Sequence, residues 1–400
     1  MLVLFLVVVI DLIGFGIIIP LLPFFAVHFQ ASPFEVGMLM AVYSLAQFIA
    51  APIWGRMSDR IGRRPVLLIS LAGAVATYIW LGLAEELWVL FAARAAGGFM
   101  AGNISAAFAY VADITTRENR AKGMGVVGAA FGLGFILGPA IGGIMAGSDP
   151  LNADYQSPAF AAAGLSAIAL VLGLFTLKES LSKEIRDRNN SRLRSSRLAQ
   201  LRDAVKDPNI RLLLILSFLA IFAFSGIEAT FALWSSRQFG WGPEQNGYIF
   251  ALSGLLNAGM QGGLIGRMAK RFGEAQLLLQ GAIALTIGMA LIPFASELWM
   301  LIASMMIATY GFSVISPALN SLISLQTSEE AQGGMMGITR SATTLARVGG
   351  PAWAGLLFSV FGMNWPFFGG ACVMAVAIYL IFRALPTLKE IDAKLPEKSA

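Results

Sequence analysis

The chain has 400 residues, 57% of them hydrophobic and 13% charged, with a mean hydropathy of +0.73; this is more apolar surface than one water-soluble core can hide, and it points to an integral membrane protein. A single cysteine, Cys372, excludes an intramolecular disulfide, and with a single histidine, His28, neither a zinc nor a haem site is expected. The net charge of +5 does not imply nucleic acid, because the 28 Lys and Arg residues gather between apolar runs instead of forming a folded basic face.

In chain order the apolar runs cover 2–27, 34–54, 65–84, 87–112, 122–147, 158–177, 209–235, 244–266, 275–295, 298–325, 333–360 and 366–385. Each reaches the ~20 residues a helix needs to cross the hydrocarbon core. The first is too long for the apolar region of a cleavable signal and is interrupted by Asp11, so it is read as a membrane helix. This predicts an N-terminal half, 1–177, a cytoplasmic linker, 178–208, a C-terminal half, 209–386, and a cytoplasmic tail, 387–400. With a cytoplasmic N-terminus, 24 of the 28 basic residues fall in the even-numbered links, at the run ends beside them, or in the tail. Arg237 lies on the other side, and Arg94, Arg340 and Arg347 lie inside runs. That bias puts both termini in the cytoplasm. In the linker, Leu198, Leu201 and Val205 have helical spacing, which suits either a basic amphipathic helix on an anionic leaflet or a solvated tether.

The halves carry related sequence. Gly55 to Leu68 reads GRMSDRIGRRPVLL between the second and third runs, and Gly266 to Leu279 reads GRMAKRFGEAQLLL between the eighth and ninth. Gly138-Pro139 and Gly350-Pro351 correspond at an offset of 212, as do Gly125 and Gly337. The fifth run holds Gly134, Gly138, Pro139, Gly142 and Gly143; small residues four apart let another helix approach closely, and the proline strains the local hydrogen-bond ladder.

Five charges lie well inside runs, away from their ends: Asp11, Arg94, Glu228, Arg340 and Arg347. Such a charge costs ~2.5–3.5 kcal/mol on insertion scales and persists where it meets a cavity or a partner. Desolvation favours the neutral form of a carboxyl group and a neighbouring arginine favours the charged one. Asp11 and Glu228 are therefore either proton carriers or salt-bridge partners. Arg340 and Arg347, two turns apart, share a face and either neutralise these acids or bind an anionic substrate group. Polar and aromatic residues at mid-depth define a candidate lining: Phe15, Tyr43, Gln47, Arg94, Asn103, Phe131, Phe135, Phe224, Phe231, Asn257, Gln261, Tyr310 and Asn320, with Arg340 and Arg347. Few polar anchors on apolar walls suit a lipophilic ligand. There is no catalytic constellation and no phosphate-binding lysine loop, so an enzyme is not expected and an ion gradient is the expected energy source, at ~2.3 kcal/mol per charge per 100 mV.

The Gly55–Leu68 motif, its degenerate copy and the glycine pattern of the fifth run resemble the major facilitator superfamily. Asp11 to Pro23, Arg94 to Gly102, Phe239-Gly240-Trp241 and Gln332-Gly333 are further similar to bacterial tetracycline efflux proteins of its drug:proton antiporter group. The resemblance implies an all-α membrane protein of twelve helices in two pseudo-symmetric six-helix halves, with a site near the midplane. It also implies that Gly134–Gly143 marks an antiporter, and that Gly55, Asp59, Arg60, Gly62, Arg63, Arg64 and Asp113 gate it. In that family the aspartate faces the start of the eleventh helix, here near Gly333, and the arginine pairs with the acid ending the fourth, here Asp113. Thr77, Asn257 and Ala284 stand where those proteins carry an acid, a histidine and an aspartate, which points to an amphiphile other than a metal–tetracycline complex. The expectation is a monomeric, multi-pass inner-membrane transporter without cofactor, meeting a small-molecule substrate, protons and lipids. It would export a lipophilic compound by proton antiport. The alternatives are an organic-anion or lipid exchanger using Arg340 and Arg347, and a non-transporting sensor.

Overall fold

A computed structural model describes residues 2–116, 119–181, 206–328 and 331–392; the predicted helical face at Leu198, Leu201 and Val205 lies outside them. The described residues are helical with no strand, in twelve rods. α1 comprises Leu2–Ile18 and Leu22–His28, α2 is Pro33–Ile61 and α3 is Arg63–Gly82. α4 comprises Leu87–Met100 and Ile104–Ile114, α5 is Arg120–Ala146 and α6 is Gln156–Thr176. α7 is Pro208–Phe239, α8 comprises Pro243–Gly259 and Ile265–Phe272, and α9 is Glu274–Leu291. α10 is Leu298–Leu325, α11 is Gln332–Phe361 and α12 is Trp365–Asp392. Ten rods are long and apolar enough to cross a membrane by length and composition. The other two are α4, which is broken, and α11, which carries Arg340 and Arg347.

Local chemistry sets the ends and breaks. α2 begins with a capping box: Ser32 Oγ accepts from the Glu35 amide, the Glu35 carboxylate accepts from the Ser32 amide at 2.7 Å, and Pro33 occupies the first turn. α1 breaks at residues 19–21, around Pro20, which lacks a donor. α4 breaks at the 3-10 turn Ala101–Asn103. Irregular backbone at membrane depth needs other partners, and α2 and α3 supply them. Phe99 O accepts from Trp54 Nε1 at 2.6 Å, Met100 O from the Ser70 hydroxyl at 2.8 Å, and Ala101 O from Gln47 Nε2 at 3.2 Å. α8 changes pitch over Met260–Leu264, where Gly263 has φ +156°.

One expectation is corrected. The charged motif is not a link between helices: Gly55 to Ile61 continue α2 to its end, α3 starts at Arg63, and Gly62 alone turns the chain, at φ +114°. The second copy behaves alike, with Gly273 alone between α8 and α9, at φ +80°. The helix persists because the basic side chains reach water without any need for the backbone to unwind.

The chain divides into two compact units, Met1–Leu193 with Phe231–Leu255, and Arg194–Thr230 with Leu256–Ala400. In the first, glycines set how closely α1 and α5 cross. A Cβ on Gly134 would lie 2.6 Å from Leu12 Cβ, and one on Gly138 would lie 2.5 Å from Gly16 Cα. The first residues of α8 also lie on α5 in this unit, where a Cβ on Gly143 would lie 2.7 Å from Pro243 O and 3.1 Å from Gly247 Cα. In the second unit, a Cβ on Gly281 would lie 2.9 Å from Gly311 O, so α9 and α10 meet in the same way.

Candidate functional site

The first unit gathers part of the expected lining. Asp11, in the third turn of α1, faces Ser166 of α6, whose hydroxyl makes no well-formed hydrogen bond. Among the described residues Asp11 has no ion-pair partner. One turn on, Phe15 lies 5.5 Å from Tyr43 and 6.2 Å, edge on, from Phe135. Arg94 stacks over the Tyr43 ring at 3.9 Å; it is 7% exposed and its Nε has no hydrogen-bond partner. The result is an aromatic and cationic patch one turn from a carboxyl group. Gln47 is spent on the Ala101 carbonyl, Phe131 packs against the Val9–Leu12–Ala130 core, and the Asn103 side chain is outside the described residues. Phe231 is fully buried between Trp234 and Phe250, so its ring packs the interior and lines no opening.

The second unit holds a different set. Glu228 accepts from Arg347 Nη1 at 3.0 Å, with side chains 19% and 39% exposed. One turn before Glu228, Phe224 stacks on Phe312 at 3.8 Å and 7°. Next to Phe312, Ser313 donates to Asn257 Oδ1 at 2.8 Å, and Gln261 donates to the same oxygen at 2.9 Å. Tyr310 is half-buried, and Asn320 and Arg340 are exposed at the level of the whole residue. Arg340 lies on the same helix face as Arg347, two turns earlier.

The charged motif forms a tight cluster. Arg63 Nη1 donates to Asp59 Oδ1 at 2.6 Å and to Ser58 Oγ at 3.1 Å, while its Nε donates to Asp113 Oδ2 at 3.2 Å. Arg60 is exposed, and Arg64 donates to the Leu174 carbonyl at 2.7 Å, ending α6. Sequence reasoning missed Glu179. Its carboxylate accepts from the Arg63 amide at 2.9 Å and the Arg64 amide at 3.2 Å. A carboxylate 116 positions away leaves no local pattern; the only available sign was an acid two residues past the end of an apolar run.

Four long matches bear on this geometry. A sequence profile described as Major Facilitator Superfamily matches residues 4–294 and 262–399. The chain is 33% identical over 386 residues to the tetracycline resistance protein, class C, of Escherichia coli, covering 96% of this chain and 94% of that one. It is 31% identical to multidrug resistance protein 2 of Bacillus subtilis, over 92% of this chain and 90% of that one. Among solved structures, the human organic anion transporter MFSD10 (TETRAN) is 28% identical with a TM-score of 0.71, covering 95% of this chain and 98% of that one.

Proposed function

Since the chain belongs to the major facilitator superfamily, whose members are transporters and not enzymes, we propose that it exports a lipophilic or amphiphilic small molecule in exchange for protons, with Asp11 as the coupling group. The carrying observation is that Asp11 sits about ten residues into α1, one turn from the Phe15–Tyr43–Arg94–Phe135 patch, without an ion-pair partner among the described residues. At 1.5 Å per residue that is roughly half of a ~30 Å core. A carboxyl group without a fixed counter-ion can lose and regain its proton as its surroundings change; one bridged to an arginine is held charged. Glu228 is bridged, so it is the lesser candidate. The apolar rings supply area for a lipophilic substrate, and the buried guanidinium supplies a polar anchor. The names of the relatives support a drug-like substrate.

On this reading the Asp59–Arg63–Asp113 cluster is a gate that forms in one state and breaks in the other. The same proposal takes the protein as a monomer in a bacterial inner membrane with both termini cytoplasmic; the distribution of Lys and Arg supports that orientation.

The test uses purified protein in liposomes holding a pH gradient, with ethidium and tetracycline as probes. Adding a transported probe dissipates the gradient. Asp11→Asn retains probe counterflow but loses proton-driven accumulation, while Glu228→Gln is milder. Full accumulation by Asp11→Asn would transfer the coupling role to Glu228. Binding without flux would identify a sensor. A second reading, an organic-anion substrate, is favoured by Arg347, which holds Glu228 through one nitrogen and stays 39% exposed, and by the description of MFSD10. It requires that naphthalene-2-carboxylate compete with the probe while its amide does not, and that Arg347→Ala remove the competition.

A further inference from the structure

The switching cluster extends beyond its own three side chains, into the residues that follow α6. Both Glu179 carboxylate oxygens are committed to the start of α3, one to the Arg63 amide and one to the Arg64 amide, and the first also accepts from the Leu181 amide at 3.0 Å. The first amides of a helix have no partner within it, and its positive end favours an anion. The next residue, Ser180, donates at 3.1 Å to Asp113 Oδ2, the oxygen that also receives Arg63 Nε. Just before, the Lys178 carbonyl accepts from Tyr110 at 2.8 Å, and Tyr110 stands on α4 three residues ahead of Asp113. Lys178, Glu179 and Ser180 thus grip α3 and α4, two of the three helices whose side chains form the Asp59–Arg63–Asp113 cluster. Arg63 is held twice by this system, at its amide by Glu179 and at its guanidinium by Asp59 and Asp113.

We infer that Glu179, assisted by Ser180, is a positioning residue for the gate: it fixes the amide end of Arg63 so that the guanidinium reaches Asp59 and Asp113 together. The segment directly after α6 is then a working part of the switch. This rests on the cluster acting as a gate in transport. The second unit supplies an internal control. There Asp392, at the end of α12, accepts from the Ala275 amide at the start of α9 at 3.4 Å. A Cβ on Gly273 would run into Asp392, just as one on Gly62 would run into Glu179. The same cap is present, but its own stretch has Lys270 and Glu274 where the first has Asp59 and Arg63.

The experiment reads the cluster without a substrate. Ser58 is fully buried against Arg63, so in a Cys372→Ala background the maleimide reactivity of Ser58→Cys reports how often the cluster opens. Removing the charge in Glu179→Gln speeds alkylation about tenfold, and ethidium efflux slows several-fold in maximal rate at unchanged KM. Glu179→Asp restores both, since an aspartate already does this work at α9. Asp392→Asn leaves Ser58→Cys reactivity unchanged. Unchanged alkylation in Glu179→Gln would overturn the inference, as would equal acceleration by Asp392→Asn, which would mean general loosening. Faster alkylation with a wild-type efflux rate would leave Glu179 as a helix cap only and would also overturn it. Absence of ethidium efflux in the wild type would count against the transport reading and leave the alkylation result standing.

Discussion

The corner between α2 and α3 and the corner between α8 and α9 come from corresponding stretches of sequence, and they share one feature while differing in another. Both turn on a single left-handed glycine, and both present the next helix start to a carboxylate from the end of their half, Glu179 or Asp392. Only the first adds an ion-pair cluster. At the positions of Asp59 and Arg63 the second has Lys270 and Glu274, a reversed pair, and where α4 has Asp113 in its last turn, α10 has Ser324 and Leu325. Glu274 Oε2 is buried without a hydrogen-bond partner, whereas Arg63 satisfies three acceptors. The capped glycine corner is therefore common to both halves, and the cluster is an addition that one half carries, the one proposed above to switch.

The largest expected effect separates the two corners. Asp59→Asn removes the charge that Arg63 holds at 2.6 Å and slows transport by roughly 5- to 150-fold, the span of a 1–3 kcal/mol coupling energy, with expression and substrate binding retained. Lys270→Gln, on the exposed end of α8, changes the rate less than about twofold. Flux measured side by side in liposomes checks this. Equal losses at both corners would mean that the charges of the second copy also switch, and wild-type flux in Asp59→Asn would leave the motif as a topology anchor.

The same contrast marks what could be read before the structure. The twelve runs, the repeated motif and the Gly-Pro correspondence are local patterns, and they survive into α1–α12 within a few residues at most ends, while α2, α8 and α12 run six or seven residues further than their apolar stretches. The pairing of Arg63 with Asp113 followed from resemblance. Glu179, the carbonyl partners Trp54, Ser70 and Gln47 and the stacked Phe224–Phe312 pair did not follow, because each depends on residues far apart in the chain, and the burial of Phe231 did not follow because it depends on how α7 packs against α8. Gln47 shows the limit well. A glutamine at mid-depth reads as a ligand contact, and only the break in α4, 54 positions on, reveals that its amide closes a backbone hydrogen bond.

A smaller effect tests whether the corners are equivalent as folding features. Gly62→Ala puts a side chain at φ +114°, ψ 163° and drives it into the Glu179 carboxylate; Gly273→Ala does the same at φ +80°, ψ 156° against Asp392. Backbone in this glycine-only region costs an L-residue ~1–3 kcal/mol. Both variants therefore melt several degrees below wild type, by ~2–4 °C per kcal/mol for a unit of this size. A loss at Gly62 alone would show that the second corner relaxes, and that the shared cap is geometric resemblance without shared strain.

The smallest effect concerns two of the three interrupted helices, α4 in the first half and α8 in the second. In α4 the break exposes carbonyls, and each is answered by a side chain from a neighbouring helix. In α8 the change of pitch over Met260–Leu264 meets no such set among the described residues, and the nearby Asn257 oxygen instead collects donors from Ser313 and Gln261. A side-chain hydrogen bond between membrane helices is worth ~0.6 kcal/mol on average, so Gln47→Ala and Ser70→Ala each lower the melting temperature by only a degree or two. Their effects combine more than additively, because Ala101 O and Met100 O belong to one turn that must find partners together. Ser313→Ala, by contrast, leaves Asn257 with its Gln261 donor and costs stability little, but it alters the polar edge beside the Phe224–Phe312 pair and so shifts the apparent affinity for ethidium by about two- to threefold. If instead Ser313→Ala destabilises as much as the α4 double variant and leaves ethidium affinity unchanged, then the Asn257 network braces the bend of α8 as Gln47 and Ser70 brace α4, and the two halves answer broken helices in the same way.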